Sequence, residues 1–255
     1  MVDSFSKSVQ LGQGWESSGK LSRAAMNRTV NAIRICKQKL DRHGVKNMRL
    51  VATEACRRAR NGQNFVAQVR RETGLTLEII QPEEEARLAV ISCAPLVSTR
   101  TDQLLVVDIG GGSTELVWID LTNVPQRERP RAIMRLHAGF KSDPGPFAAA
   151  KVVDWISVPL GVATLRDQFE DVEDDSARFA LMSWFFEESL EDFSPYAAAQ
   201  ARDGFQIVGT SGTVTTVAAS HLGLKRYDRT KVDGLRMSTD QIDTVIRNYL
   251  ALGPT

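Results

Sequence analysis

The sequence predicts an α/β fold. Two β-type runs, Met48–Thr53 and Thr76–Ile80, alternate with helical patterns in the first half. Two further apolar strands, at Leu104–Val107 and Gln206–Val208, each run straight into a glycine-rich loop. The chain has 255 residues, 42% hydrophobic and 25% charged, which is enough for a packed core in one large domain or two small ones. No apolar run approaches the roughly 18 residues that span a membrane. Met1–Gly12 has no apolar stretch of the secretory type. The three cysteines, Cys36, Cys56 and Cys93, have no CxxC spacing and so exclude a disulfide framework and a zinc site. The expectation is a reduced, soluble, cytoplasmic protein.

The elements follow in order. Ser22 is placed to cap a long helix with Met26, Val30, Ile33 and Leu40 near helical spacing, and Gly44 supplies its left-handed stop. Met48–Thr53 reads as a strand, Gln63–Glu72 as a short helix and Thr76–Ile80 as a second strand. Pro82 suits the first position of a helix to about Cys93, with Glu83, Glu84 and Glu85 at its favourable dipole end. This alternation implies a mainly parallel sheet. Leu104–Val107 and Thr114–Ile119 read as antiparallel strands joined by a glycine-rich turn. Asn123–Lys151 is expected to be irregular, with one strand around Ala132–Leu136. Val152–Val158 is a strand, and Leu160–Phe169 a turn into a helix. Asp175–Phe193 is a helix with Phe179, Met182, Phe186 and Leu190 on one side. After the strand at Gln206–Val208 comes a helix to about His221. Ser238 and Gln241 form a capping box for a last helix, Ile242–Leu252. A domain boundary is expected near Ser98–Asp102.

A net charge of +1 hides an asymmetry. Lys20–Glu72 carries 14 Lys and Arg against three acids, whereas Asp167–Asp192 carries 10 Asp and Glu against Arg178 alone. Part of the surface is thus suited to a polyanion, with solvated helix faces as the plainer reading. No aromatic interleaving or nucleic-acid motif accompanies the basic block, so no nucleic-acid partner is expected.

The strongest chemical signal is Asp108-Ile109-Gly110-Gly111-Gly112-Ser113-Thr114-Glu115. Three glycines at the end of a buried strand let backbone N–H groups close around an anion. Asp108 and Glu115 add carboxylates for a divalent cation, and Ser113 and Thr114 add hydroxyls for phosphate oxygens. A plain hairpin turn competes with this reading. A second loop, Gly209-Thr210-Ser211-Gly212-Thr213, also sits between a strand and a helix. Neither loop is a Walker or a Rossmann motif. Arg57, Arg58 and Arg60 share one turn, where a phosphate clamp and a solvated basic turn are equally open. His43, His137 and His221 are isolated, and no Gly-x-Ser-x-Gly elbow appears.

Taken in order, TEACRRARN, PEEEARL, VVDIGGGSTELV, SVPLGVATL, VGTSGTVTTVA and VDGLRMS resemble the exopolyphosphatase/guanosine pentaphosphate phosphohydrolase (Ppx/GppA) family from about residue 20 onward. The resemblance implies the actin-like ATPase (ribonuclease H-like) fold of two related α/β domains with a cleft between them. It also implies removal of terminal phosphate from inorganic polyphosphate or guanosine pentaphosphate with Mg2+. Glu85 then matches the glutamate that activates the attacking water. Asp108 and Glu115 match the acidic metal and water-positioning residues. Gly110, Gly111, Gly112, Ser113 and Thr114 match the phosphate turn, and Gly209, Thr210, Ser211, Gly212 and Thr213 the second loop. Arg57 matches an arginine that contacts phosphate from the other domain.

Two departures bear on activity. The family opens with an Asp-x-Gly-Ser/Thr-Asn hairpin that nothing before Ser22 matches, and relatives continue past Leu252–Thr255. The expectation is a chain shortened at both ends. Residues 1–101 would be a partial first domain lacking its phosphate loop, and 102–255 a second domain with an incomplete C-terminal end. A polyphosphate hydrolase leads, with guanosine pentaphosphate as the rival substrate. A non-catalytic polyanion-binding remnant is the alternative of another class, and a kinase or ATPase on the same fold is a third. The resemblance leaves a homodimer open.

Overall fold

The computed structural model describes residues 3–14, 18–140, 150–193 and 204–252. Most of the Lys141–Lys151 excursion and the final Gly253–Thr255 lie outside the described residues. The chain forms two compact units, Met1–Pro82 and Glu83–Thr255.

The first unit is built on α1 (Arg23–Arg42). The Ser22 hydroxyl accepts the Ala25 N–H at its start, and Gly44, at φ +61°, ends it. Strands β1 (Val51–Ala52) and β2 (Glu78–Ile79) pair in parallel and are shorter than the sequence suggests. Between them lie α2 (Glu54–Arg58) and α3 (Gly62–Thr73). Leu21, Val30, Cys56, Phe65 and Val69 form the core of this unit. Gly62 starts α3 against the turn before it, where a Cβ would lie 2.0 Å from the Cys56 carbonyl oxygen. Several cations of the basic block are paired, Arg34 with Glu72, Lys37 with Asp41 and Arg49 with Glu78. These are solvated helix and strand faces of little energetic weight.

The second unit opens with α4 (Pro82–Cys93), whose proline stands at the predicted first position. Ala86, Val90 and Cys93 recur at helical spacing and pack into the main core. The sheet has the order β5-β4-β3-β6, from β3 (Gln103–Ile109), β4 (Thr114–Asp120), β5 (Lys151–Val158) and β6 (Phe205–Thr210). It is mixed, with the predicted antiparallel pairing across the glycine turn. β3–β4 is antiparallel because a tight turn joins the pair, β4–β5 is antiparallel across a longer connection, and β3–β6 is parallel. Leu104, Val106, Val117, Ile119 and Val208 face the α4 side, while Leu116, Val158, Leu160, Leu190 and Phe193 form the core on the other face.

The strand expected around Ala132–Leu136 is instead α5 (Arg129–Met134). Pro130 favours a first helical turn. The buried Arg129 guanidinium anchors the helix on Asp102 Oδ1 at 2.6 Å and on the Val124 and Thr99 carbonyls. α6 (Val162–Gln168) matches its expected place. α7 (Asp175–Glu188) ends short of the predicted Phe193 and holds no fully buried residue. Phe186 and Leu190 pack on the second core, but Phe179 is 43% exposed. α8 (Ser211–His221) follows β6, and α9 (Arg229–Val232) precedes α10 (Thr239–Leu252). The capping box holds: the Gln241 side chain accepts the Ser238 N–H and its own N–H donates to the Ser238 hydroxyl. No helix among the described residues is long and apolar enough to cross a membrane.

Candidate active site

Strand register brings the carboxylates together. Asp108 at the end of β3 pairs laterally with Glu115 on β4, Glu115 with Ser157 on β5, and Asp108 with Thr210 on β6. Lateral partners point to one face of a sheet, so a polar row crosses all four strands. The row lies on the face carrying Val106, Val117 and Val208, where α4 packs.

Glu115 is 2% exposed, and its carboxylate Oε1 accepts the Ser157 hydroxyl at 2.8 Å. Burial pushes its carboxyl up from an ordinary 4.5 to about 7, and the nearby charge of Glu85 pushes the same way. Hydrogen bonds from Ser113 and Ser157 oppose the rise. Glu85, on the first turn of α4, therefore shares the electrostatic neighbourhood of Glu115. Glu84 is committed elsewhere, gripping Arg87 through both oxygens. Asp108 is also raised by burial, and its Oδ1 is a buried oxygen with no hydrogen-bond partner among the described residues.

These shifts predict a pH dependence. A carboxyl raised in the folded state binds its proton more tightly there than in the unfolded chain. Its contribution to stability is full below about pH 4.5 and is lost as pH rises through about 7. Without added divalent cation, the parent's resistance to urea should fall from pH 5 to pH 8 relative to Glu115→Gln. Parallel pH profiles for the two proteins would contradict this.

The glycine turn bridges β3 and β4. The Gly110 N–H donates to the Ser113 carbonyl at 2.9 Å, closing the turn. Thr114 is buried, with its hydroxyl donated to the Leu160 carbonyl at 2.7 Å, so it anchors the turn's exit. The second loop lies beside Asp108. Gly209 packs on Val214, and Ser211 opens α8 at φ +76°, a left-handed conformation that disfavours a side chain. Strain of this kind costs ~1–3 kcal/mol, against ~0.4–1 kcal/mol for the extra freedom of an unfolded glycine. Ser211→Gly also loses the Ser211 hydrogen bond to Asp108, so the two effects should leave the thermal midpoint within about 2 °C of the parent. A midpoint lowered beyond that in a thermal scan would count against a strained serine.

Asp108, Glu115, Glu85, Ser113 and the two loops thus belong to one neighbourhood of the second unit. Arg57 belongs to the first unit, where its guanidinium bonds Glu54 Oε2 and the Ile80 carbonyl, each at 2.6 Å. Sequence reasoning assigned no role to Ser157. Its lateral pairing with Glu115 is a matter of register, which the isolated β5 run does not announce.

No group of three or more His, Cys, Asp or Glu residues suited to a metal occurs among the described residues. The carboxylates nevertheless fit Mg2+, which takes one or two carboxylates and fills its sphere with water and substrate phosphate. The orphaned Asp108 Oδ1 is the atom such an ion would satisfy.

The chain is an α/β protein with a mixed four-stranded sheet, and its likeness to solved Ppx/GppA proteins gives it the actin-like ATPase fold. The family model of the Ppx/GppA phosphatase family matches residues 1–245, and the chain belongs to that family. The Aquifex aeolicus family member is 29% identical, with TM-score 0.63, covering 95% of this chain and 68% of that one. An exopolyphosphatase-like protein is 27% identical, with TM-score 0.75, covering 95% and 67%. Among curated proteins, the guanosine-5'-triphosphate,3'-diphosphate pyrophosphatase of Aeromonas hydrophila is 28% identical over 239 residues, covering 92% of this chain and 41% of that protein. The chain spans about two-fifths of the length of the curated relatives it matches.

Proposed function

We propose that this chain is a phosphoanhydride hydrolase that releases terminal phosphate from inorganic polyphosphate. The observation that carries the reading is the grouping of Glu85, Glu115 and Asp108 beside a glycine turn, with Glu85 and Glu115 electrostatically coupled. The terminal phosphate rests on the Gly111 and Gly112 amides of the turn that Gly110 and Ser113 close, with Gly209–Thr213 lining the site beside Asp108. Glu85 takes the proton of the attacking water, and Glu115 orients that water from the strand end. Asp108 and Glu115 would hold Mg2+, which would supply charge neutralisation at the phosphate. Ser157 keeps the Glu115 carboxylate turned toward the turn.

Guanosine pentaphosphate is a second reading, favoured by the name of the Aeromonas relatives. Phosphate release from long-chain polyphosphate and from guanosine pentaphosphate, with Mg2+ and with chelator, tests both. The expected result is metal-dependent release, faster on polyphosphate. Faster release from the nucleotide would move the assignment to the second reading. Tight polyphosphate binding without release from either would make the chain a polyanion-binding protein.

A further inference from the structure

We propose that the first turn of α6, centred on Gly161, is the clamp that aims the phosphate turn, an inference resting on the phosphate-binding reading of Gly110–Ser113. Two N–H groups at the start of α6 are spent on the turn itself. Val162 N–H donates to the Gly110 carbonyl at 3.1 Å and Ala163 N–H to the Gly111 carbonyl at 2.9 Å. In a trans peptide the carbonyl and the following N–H point in opposite directions. Holding those two carbonyls on α6 therefore turns the N–H groups of Gly111 and Gly112 away from it. Among the described residues neither amide has a protein acceptor. The helix start is thus not itself the anion site. Its donors are relayed through two peptide units, each polarised in the sense that favours an anion beyond them.

Gly161 makes this contact possible. Its φ of −123° and ψ of −179° are open to any residue, so backbone conformation does not require glycine there. Space does. A Cβ at 161 would lie 2.4 Å from the Gly111 carbonyl carbon, 2.5 Å from the Gly112 nitrogen and 2.6 Å from the Gly110 oxygen. Any side chain would push the turn off its seat. Thr164, 4% exposed, locks the arrangement: its hydroxyl oxygen accepts the Gly161 N–H at 2.6 Å and donates to the Gly161 carbonyl at 3.0 Å. Thr114 ties the turn's exit to Leu160 in the same segment. Gly161 and Thr164 are positioning residues, acting on phosphate only through the turn.

Calorimetric binding of inorganic tripolyphosphate with Mg2+, combined with amide hydrogen exchange, tests this on the full chain. Gly161→Ala should weaken binding about tenfold or more, and Thr164→Val about three- to tenfold, the scale of a hydrogen bond or two. Thr164→Ser should restore binding to within about twofold of the parent. The Val162 and Ala163 amides should exchange faster in the weakened variants, while the interior amides of β3 and β4 stay protected. Parent-like binding and exchange in both weakened variants would overturn the clamp alone. A parent chain that does not bind tripolyphosphate would overturn the phosphate reading and the clamp with it. If Gly161→Ala does not fold, the Thr164→Val and Thr164→Ser pair decides.

Discussion

Glu85→Gln should lower phosphate release by about 10²–10⁴-fold, the range for loss of a general base, while tripolyphosphate affinity stays within about threefold. Glutamine keeps the size and one carbonyl acceptor of the side chain but cannot take a proton from water. The substitution also removes the charge that helps hold the Glu115 carboxyl near 7. Glu115 should then ionise at lower pH in the variant, so its capacity to hold Mg2+ is not what is lost. Retained binding with abolished turnover separates a missing base from a damaged cradle. Undiminished release by the variant would place the base at another residue.

Gly62→Ala should destabilise the first compact unit by about 3 kcal/mol or more, the upper range for forced overpacking. The added methyl would stand 2.0 Å from the Cys56 carbonyl oxygen and 3.3 Å from its Cα, and both are backbone atoms that no rotamer change can move aside. Relief requires α2 and α3 to separate, which opens the core of Leu21, Cys56, Phe65 and Val69. Denaturant unfolding followed by the fluorescence of a probe placed in this unit reads the loss. An unchanged midpoint would mean that the α2–α3 junction adapts at low cost.

Much of the architecture was legible because local chemistry wrote it. Pro82 and three following acids marked the start of α4, Ser22 and Gly44 marked both ends of α1, and three consecutive glycines marked the turn. Pro130 carries the same kind of signal for α5, but the apolar run Ala132-Ile133-Met134 beside it reads as a strand. Phe179 on α7 stays exposed because helical spacing describes a surface without saying what packs on it. At the site, Asp108, Glu115 and the glycines stand in one stretch of sequence. Ser157 and Gly161 do not. Their roles depend on lateral register and on backbone meeting backbone, and neither leaves a mark in residue type. Ser211 is hidden for a related reason: its left-handed conformation occurs at a serine, with the permissive Gly212 one residue too late.

The parallel pairing of β3 with β6 sets the order in which the molecule can become competent as it folds. The β3–β4 hairpin and its glycine turn need only neighbours in sequence, so they can form early. β6 reaches β3 only after a long intervening segment has been closed into a loop, and contacts of that kind are slow. A slip of one residue in that pairing would swing Val208 to the opposite face and misplace Thr210 and Ser211 beside Asp108. A refolding chain should therefore possess its phosphate turn before it possesses a complete site, and recovered function would time the arrival of the last strand.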